Sequence, residues 1–103
     1  MPRNYDEVVK VLIKEAGTEG YIAYKVNDSE EDLIVHEGVT NQEIVEHATA
    51  ADEATIYFKN EVGDKFGVYL VYGNTLEETI CDYSAKADAD RICTRVAAHF
   101  EDR

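Results

Sequence analysis

Ala54-Thr55-Ile56-Tyr57-Phe58-Lys59-Asn60, the linker Glu61-Val62-Gly63-Asp64 and Lys65-Phe66-Gly67-Val68-Tyr69-Leu70-Val71-Tyr72 form the stretch that decides the fold. Strand side chains alternate between two faces. In the first segment Ile56 and Phe58 fall on one face, with Thr55, Tyr57 and Lys59 on the other. In the second, Phe66, Val68, Leu70 and Tyr72 point one way, and Gly67, Tyr69 and Val71 the other. Four linking residues make a turn and are too few for a parallel crossover, so the two strands are antiparallel.

The same reading extends outward. Gly73-Asn74 turns the chain again and Glu77–Tyr83 makes a third strand of this meander. In that strand Ile80 alternates against Cys81 and Tyr83, so the pattern leaves its core face open. A closing helix spans about Ala87–Glu101, with Ala89, Ile92, Cys93, Val96, Ala97 and Phe100 as its apolar stripe. Arg91 and Arg95 lie off that stripe, in reach of Asp88 and Asp90.

Upstream, Asn4 with Glu7 is a variant capping box. It opens a helix whose buried face is Tyr5, Val8, Val9, Leu12, Ile13 and Ala16, with Gly17 as its stop. Tyr21–Val26 and Leu33–His36 read as strands on either side of the polar loop Asn27–Asp32, and Gly38 ends that unit. Thr40 with Glu43 is a second capping box. It starts a short helix with Ile44, Val45 and Ala48 inward and Glu43 and Glu46 outward. The order is α-β-β-α-β-β-β-α with short connections. It predicts one α+β domain over residues 1–103, a two-layer antiparallel sheet with the first and last helices packed on one face.

Charge is the unusual property. The 103 residues carry 22 Asp and Glu against 10 Lys and Arg, a net charge of −12. Direct binding to nucleic acid or to an anionic membrane needs a positive surface, so both are excluded as expectations. The acidity is concentrated. Residues 27–53 hold nine acids (Asp28, Glu30, Glu31, Asp32, Glu37, Glu43, Glu46, Asp52 and Glu53) and no Lys or Arg, whereas residues 1–26 and 85–103 are each neutral in sum. Like charges this dense repel one another, which fits a surface shaped for a basic partner. Carboxylates at Asp28, Glu30 and Asp32 on extended chain would point the same way about 6–7 Å apart. Glu43 and Glu46 share a helix face.

The chain carries no catalytic signature: G-x-S-x-G, a P-loop, a dinucleotide fingerprint and H-E-x-x-H are all missing. His36, His47 and His99 are scattered, and Cys81 and Cys93 lie twelve positions apart on different elements, unlike a zinc site. Asp28–Asp32 begins like a calcium loop, but Leu33 and Val39 stand where that loop requires Gly and Glu. No enzyme activity, cofactor or metal is expected. Two cysteines without an export signal predict buried, reduced thiols in the cytoplasm. Seven Tyr and no Trp is Tyr-heavy. Tyr57 and Tyr69, on the face away from Ile56 and Val68, form a candidate cross-strand platform for a protein.

The segment Gly63-Asp64-Lys65-Phe66-Gly67-Val68-Tyr69-Leu70-Val71-Tyr72-Gly73-Asn74, with Glu78-Thr79-Ile80-Cys81-Asp82-Tyr83-Ser84 and the last helix, resembles the β-β-α ending of small phage and mobile-element proteins. In size, charge and α/β make-up the chain is similar to acidic inhibitors of bacterial defence systems, including anti-CRISPR proteins. That resemblance covers residues 54–103 and rests on architecture. It implies a protein partner, a nucleic-acid-binding complex such as a CRISPR–Cas effector whose basic groove the inhibitor occupies as a nucleic-acid mimic, and a setting in the host cytoplasm. The second reading is an accessory domain that homodimerises through its Tyr-rich sheet face or an edge strand.

Overall fold

A computed structural model describes residues 5–28, 32–35, 38–73 and 76–101. The elements are α1 (Tyr5–Thr18), β1 (Ile22–Asn27), β2 (Asp32–Ile34), α2 (Asn41–Ala48), β3 (Glu53–Lys59), β4 (Lys65–Val71), a 3₁₀ turn (Leu76–Glu78), β5 (Ile80–Tyr83) and α3 (Ala87–Glu101). The strands form one antiparallel sheet in the order β2-β1-β3-β4-β5. This is the expected α+β architecture. No described helix is long and apolar enough to cross a membrane.

The alternation in β3 and β4 appears directly in their pairing. Ala54, Ile56 and Phe58 lie opposite Leu70, Val68 and Phe66, and all six are buried. Val8 and Leu12 of α1, Ile44 and Val45 of α2, and Ile92, Val96 and Phe100 of α3 close over this face. Phe58 and Phe66 stack with ring centroids 5.1 Å apart, and Tyr21 meets Phe66 edge-on at 4.8 Å. All three helices therefore share one layer, α2 included.

Several local expectations change. α1 runs past Gly17 to Thr18, and the chain reverses at Gly20, whose φ is 84°. Tyr21 N–H donates to the Ala16 carbonyl at 3.0 Å and Gly20 N–H to that of Gly17 at 3.1 Å, the paired bonds of a Schellman cap. Such a cap needs the left-handed residue after the last turn, which is Gly20. The Asn4 cap lies outside the described residues. The Thr40 box forms as expected: Glu43 N–H donates to Thr40 Oγ1 and Thr40 N–H to the Glu43 carboxylate. Thr40→Ala should cost about 1 kcal/mol in urea unfolding.

Residues 77–79 are not strand, and β5 is confined to Ile80–Tyr83. The register pairs Leu70 with Ile80 but Tyr69 with Asp82, so Cys81 is the extra residue of a bulge. That bulge resets the alternation. Ile80 and Tyr83 both pack on the core, which settles the face of this strand. It also leaves Cys81 exposed, contrary to the expectation of two buried thiols; Cys93 is buried, and desolvation pushes its thiol up to about 12.

Candidate functional site

Described parts of the acid-rich segment meet at one end of the sheet. β1 ends there at Asn27, opposite Thr55 near the start of β3. α2 ends there too: the Tyr72 hydroxyl donates to the Ala48 carbonyl at 2.6 Å, and Tyr72 N–H to the Asp52 carbonyl at 3.0 Å. Asp28 is 8% exposed, with its carboxylate 3.7 Å from His47 Nε2 of α2. It therefore faces inward, against the expected outward row of Asp28, Glu30 and Asp32. A carboxylate in a buried position is stable only with partners, and the α2 imidazole is one of them.

The other acids are placed as follows. Asp32 begins β2, 3.6 Å from Lys25 Nζ, and accepts from Asn27 Nδ2 at 2.5 Å. The β1–β2 hairpin thus returns a lysine to the acidic segment, which charge counting along the chain does not reveal. Glu43 is engaged in the Thr40 box, while Glu46 is exposed and accepts from Gln42 at 3.2 Å. Asp52 and Glu53 are exposed at the entrance to β3. Glu30, Glu31 and Glu37 lie outside the described residues.

The sheet face away from the helices carries Tyr24, Tyr57 and Tyr69. The register runs one row across all five strands: Asp32, Asn27, Thr55, Tyr69 and Asp82. The next row holds Ile34, Lys25, Tyr57 and Gly67. Tyr57 and Tyr69 share the face, but they are diagonal neighbours: Tyr57 pairs with Gly67 and Tyr69 with Thr55. A Cβ on Gly67 would sit 3.1 Å from Tyr57 Cε1, so the glycine lets the Tyr57 ring lie against β4. The Tyr69 hydroxyl donates to Glu53 at 3.0 Å, and this bond holds the phenol above its ordinary pKa.

At the opposite end Lys59 pairs directly with Lys65, and Ile22 lies across from Lys59. A bulge at Tyr24 brings its ring within 5.6 Å of Lys59 Nζ and 5.4 Å of Lys65 Nζ, while Lys25 Nζ is 5.2 Å from the Tyr57 ring. Sequence reasoning missed this lysine cluster. Its signal was the shared parity of Tyr57 and Lys59; the contribution of Tyr24 depends on the bulge.

Between α3 and α1 the charges are consumed locally. Arg91 pairs with Glu19 and Asp88, both at 2.5 Å, and Arg95 with Glu15 and Glu19 at 2.7 and 3.0 Å. Arg91 does reach Asp88 as expected, but Asp90 instead accepts from the Tyr83 hydroxyl at 2.7 Å. Two clefts open on the described surface, a groove of about 490 Å³ lined by Lys10, Lys14, Val35 and Ile44, and one of about 580 Å³ beside Ile22, Lys59 and Lys65. Among the described residues no group of three His, Cys, Asp or Glu is arranged to hold a metal ion.

The fold and its surfaces thus define a two-layer α+β domain with one covered and one open sheet face. Comparison with protein-family models, curated proteins and solved structures finds no match for the chain.

Proposed function

We propose that this chain is a non-catalytic binding domain whose acidic end docks on a basic, nucleic-acid-binding protein and occupies the groove meant for phosphates. The observation that carries the reading is the convergence at that end. The Asp28–His47 contact ties the residue after β1 to α2, and Asp32, Glu46, Asp52 and Glu53 lie on or beside the elements that meet there. Lys25 stands beside Asp32, and the His47 imidazole beside Asp28. Surplus carboxylate on a compact end is complementary to a Lys- and Arg-lined groove and speeds encounter with it. An inhibitor of a bacterial defence complex, acting in the cytoplasm, is the form of this function that the architectural resemblance favours.

The experiment is a displacement titration. A nucleic-acid-binding protein captured with the chain is purified, loaded with its labelled nucleic acid and titrated with the chain. Neutralising Glu30→Gln, Glu31→Gln, Glu46→Gln and Asp52→Asn together should weaken displacement about 100-fold, near 2.7 kcal/mol over four charges. The wild-type affinity should also fall steeply with salt. Equal displacement by wild type and the neutralised variant would refute the reading.

A further inference from the structure

The open sheet face differs from the rest of this acidic molecule in two ways. Ile22 and Ile34, 63% and 58% exposed, lie on it, and they are two of the three large exposed apolar side chains among the described residues. Tyr24, Tyr57 and Tyr69 lie on the same face. The face also balances its charge: Lys25, Lys59 and Lys65 stand against Asp32, Glu53 and Asp82, in a chain whose net charge is −12. Apolar and Tyr-rich surface with balanced charge is what a protein interface requires.

The charges are also sorted along the strands. Lys59 and Lys65 stand at one end of the β3–β4 pair and Glu53 at the other, six residues or about 20 Å away. Asp32 and Asp82 flank the row next to Glu53. We propose that this face is a two-fold self-association surface, with the lysine end of one copy lying over the acidic end of a second.

A two-fold axis in the plane of the interface, perpendicular to the strands, exchanges the two ends and makes the patch its own complement. Lys59 and Lys65, directly opposed and drawn to one Tyr24 ring, repel each other in the single chain. Carboxylates of a second copy relieve that repulsion. An anionic peptide or a single-stranded nucleic acid could satisfy only the lysine end and would be repelled by Glu53, Asp32 and Asp82. A second copy satisfies both. The footprint is on the order of 20 Å by 20 Å, since five strands lie about 4.8 Å apart, so the dimer is a weak, reversible one.

Sedimentation equilibrium from roughly 10 µM to 1 mM protein should show a concentration-dependent rise towards twice the monomer mass. The paired variant Lys59→Glu, Lys65→Glu and the paired variant Glu53→Lys, Asp82→Lys should each raise the dissociation constant at least about 10-fold with an unchanged circular dichroism spectrum. Mixed in equal amounts, the two variants should associate more tightly than either alone. Overturning results are a wild-type chain that is monomeric throughout, a dimer indifferent to both variants, or a monomer that binds polyglutamate or an oligonucleotide through Lys59 and Lys65. The proposal stands apart from binding of a basic partner, because Glu46 and Asp52 test that reading and Lys59 and Lys65 test this one.

Discussion

Phe58→Ala should destabilise the domain by about 3–5 kcal/mol, the range for emptying a large aromatic site in a packed core. Phe58 has no exposed surface, stacks on Phe66 and stands in the central strand β3, beneath the helical layer. Domains of this size are held by only about 5–15 kcal/mol, so the variant should sit close to its unfolding threshold. Its neighbour provides the control. Tyr57 points to the open face, and Tyr57→Ala should cost only about 1 kcal/mol, chiefly from lost cross-strand contact. Urea unfolding measures both. Equal costs at the two positions would refute the assignment of β3 faces.

At high pH the fold should fail as its tyrosines are forced to ionise. The Tyr21 hydroxyl donates to Asp88 at 2.7 Å, and this bond, with burial and the Asp88 charge, pushes the phenol up to about 12. Burial raises Tyr72 further, while hydrogen bonds to Glu53 and Asp90 raise Tyr69 and Tyr83. Each binds its proton more tightly when folded than in the open chain, where tyrosine titrates near 10. The stabilisation is therefore complete below about pH 10 and is lost as pH rises through about 12. Absorbance at 295 nm should lag behind free tyrosine and then rise together with loss of the far-ultraviolet circular dichroism signal. Tyr21→Phe should remove part of that lag. Seven tyrosines titrating near 10 with an intact fold would contradict the Tyr21–Asp88 bond. The acid side has the opposite sign. Arg91 holds Glu19 low, and Tyr21 and Arg91 hold Asp88 low, so their contribution is present above about pH 4 and fades below it.

The parts legible in the sequence are those governed by spacing within one element. The stripe from Ala89 to Phe100 places α3 over Ala87–Glu101, and Thr40 with Glu43 marks the start of α2, because capping and 3.6-residue periodicity are properties of neighbouring residues. The alternation of β3 and β4 separates Phe58 from Tyr57 for the same reason. Cys81 is a different case. Its exposure follows from a bulge that arises only when β5 pairs with β4, and no pattern inside four residues encodes it. Gly20 acts as the helix stop in place of the expected Gly17, because the cap requires a positive φ after the last turn.

The acidic surface divides the same way. Nine acids without a Lys or Arg over residues 27–53 are a fact of the chain, as are the net charge and the order of helices and strands. Tertiary structure alone turned Asp28 inward to His47, returned Lys25 to Asp32, and set Lys59 and Lys65 around Tyr24. Periodicity and composition report what a residue does relative to its neighbours in sequence. Which charges meet across strands depends on register, and register is decided by the burial of whole faces at once.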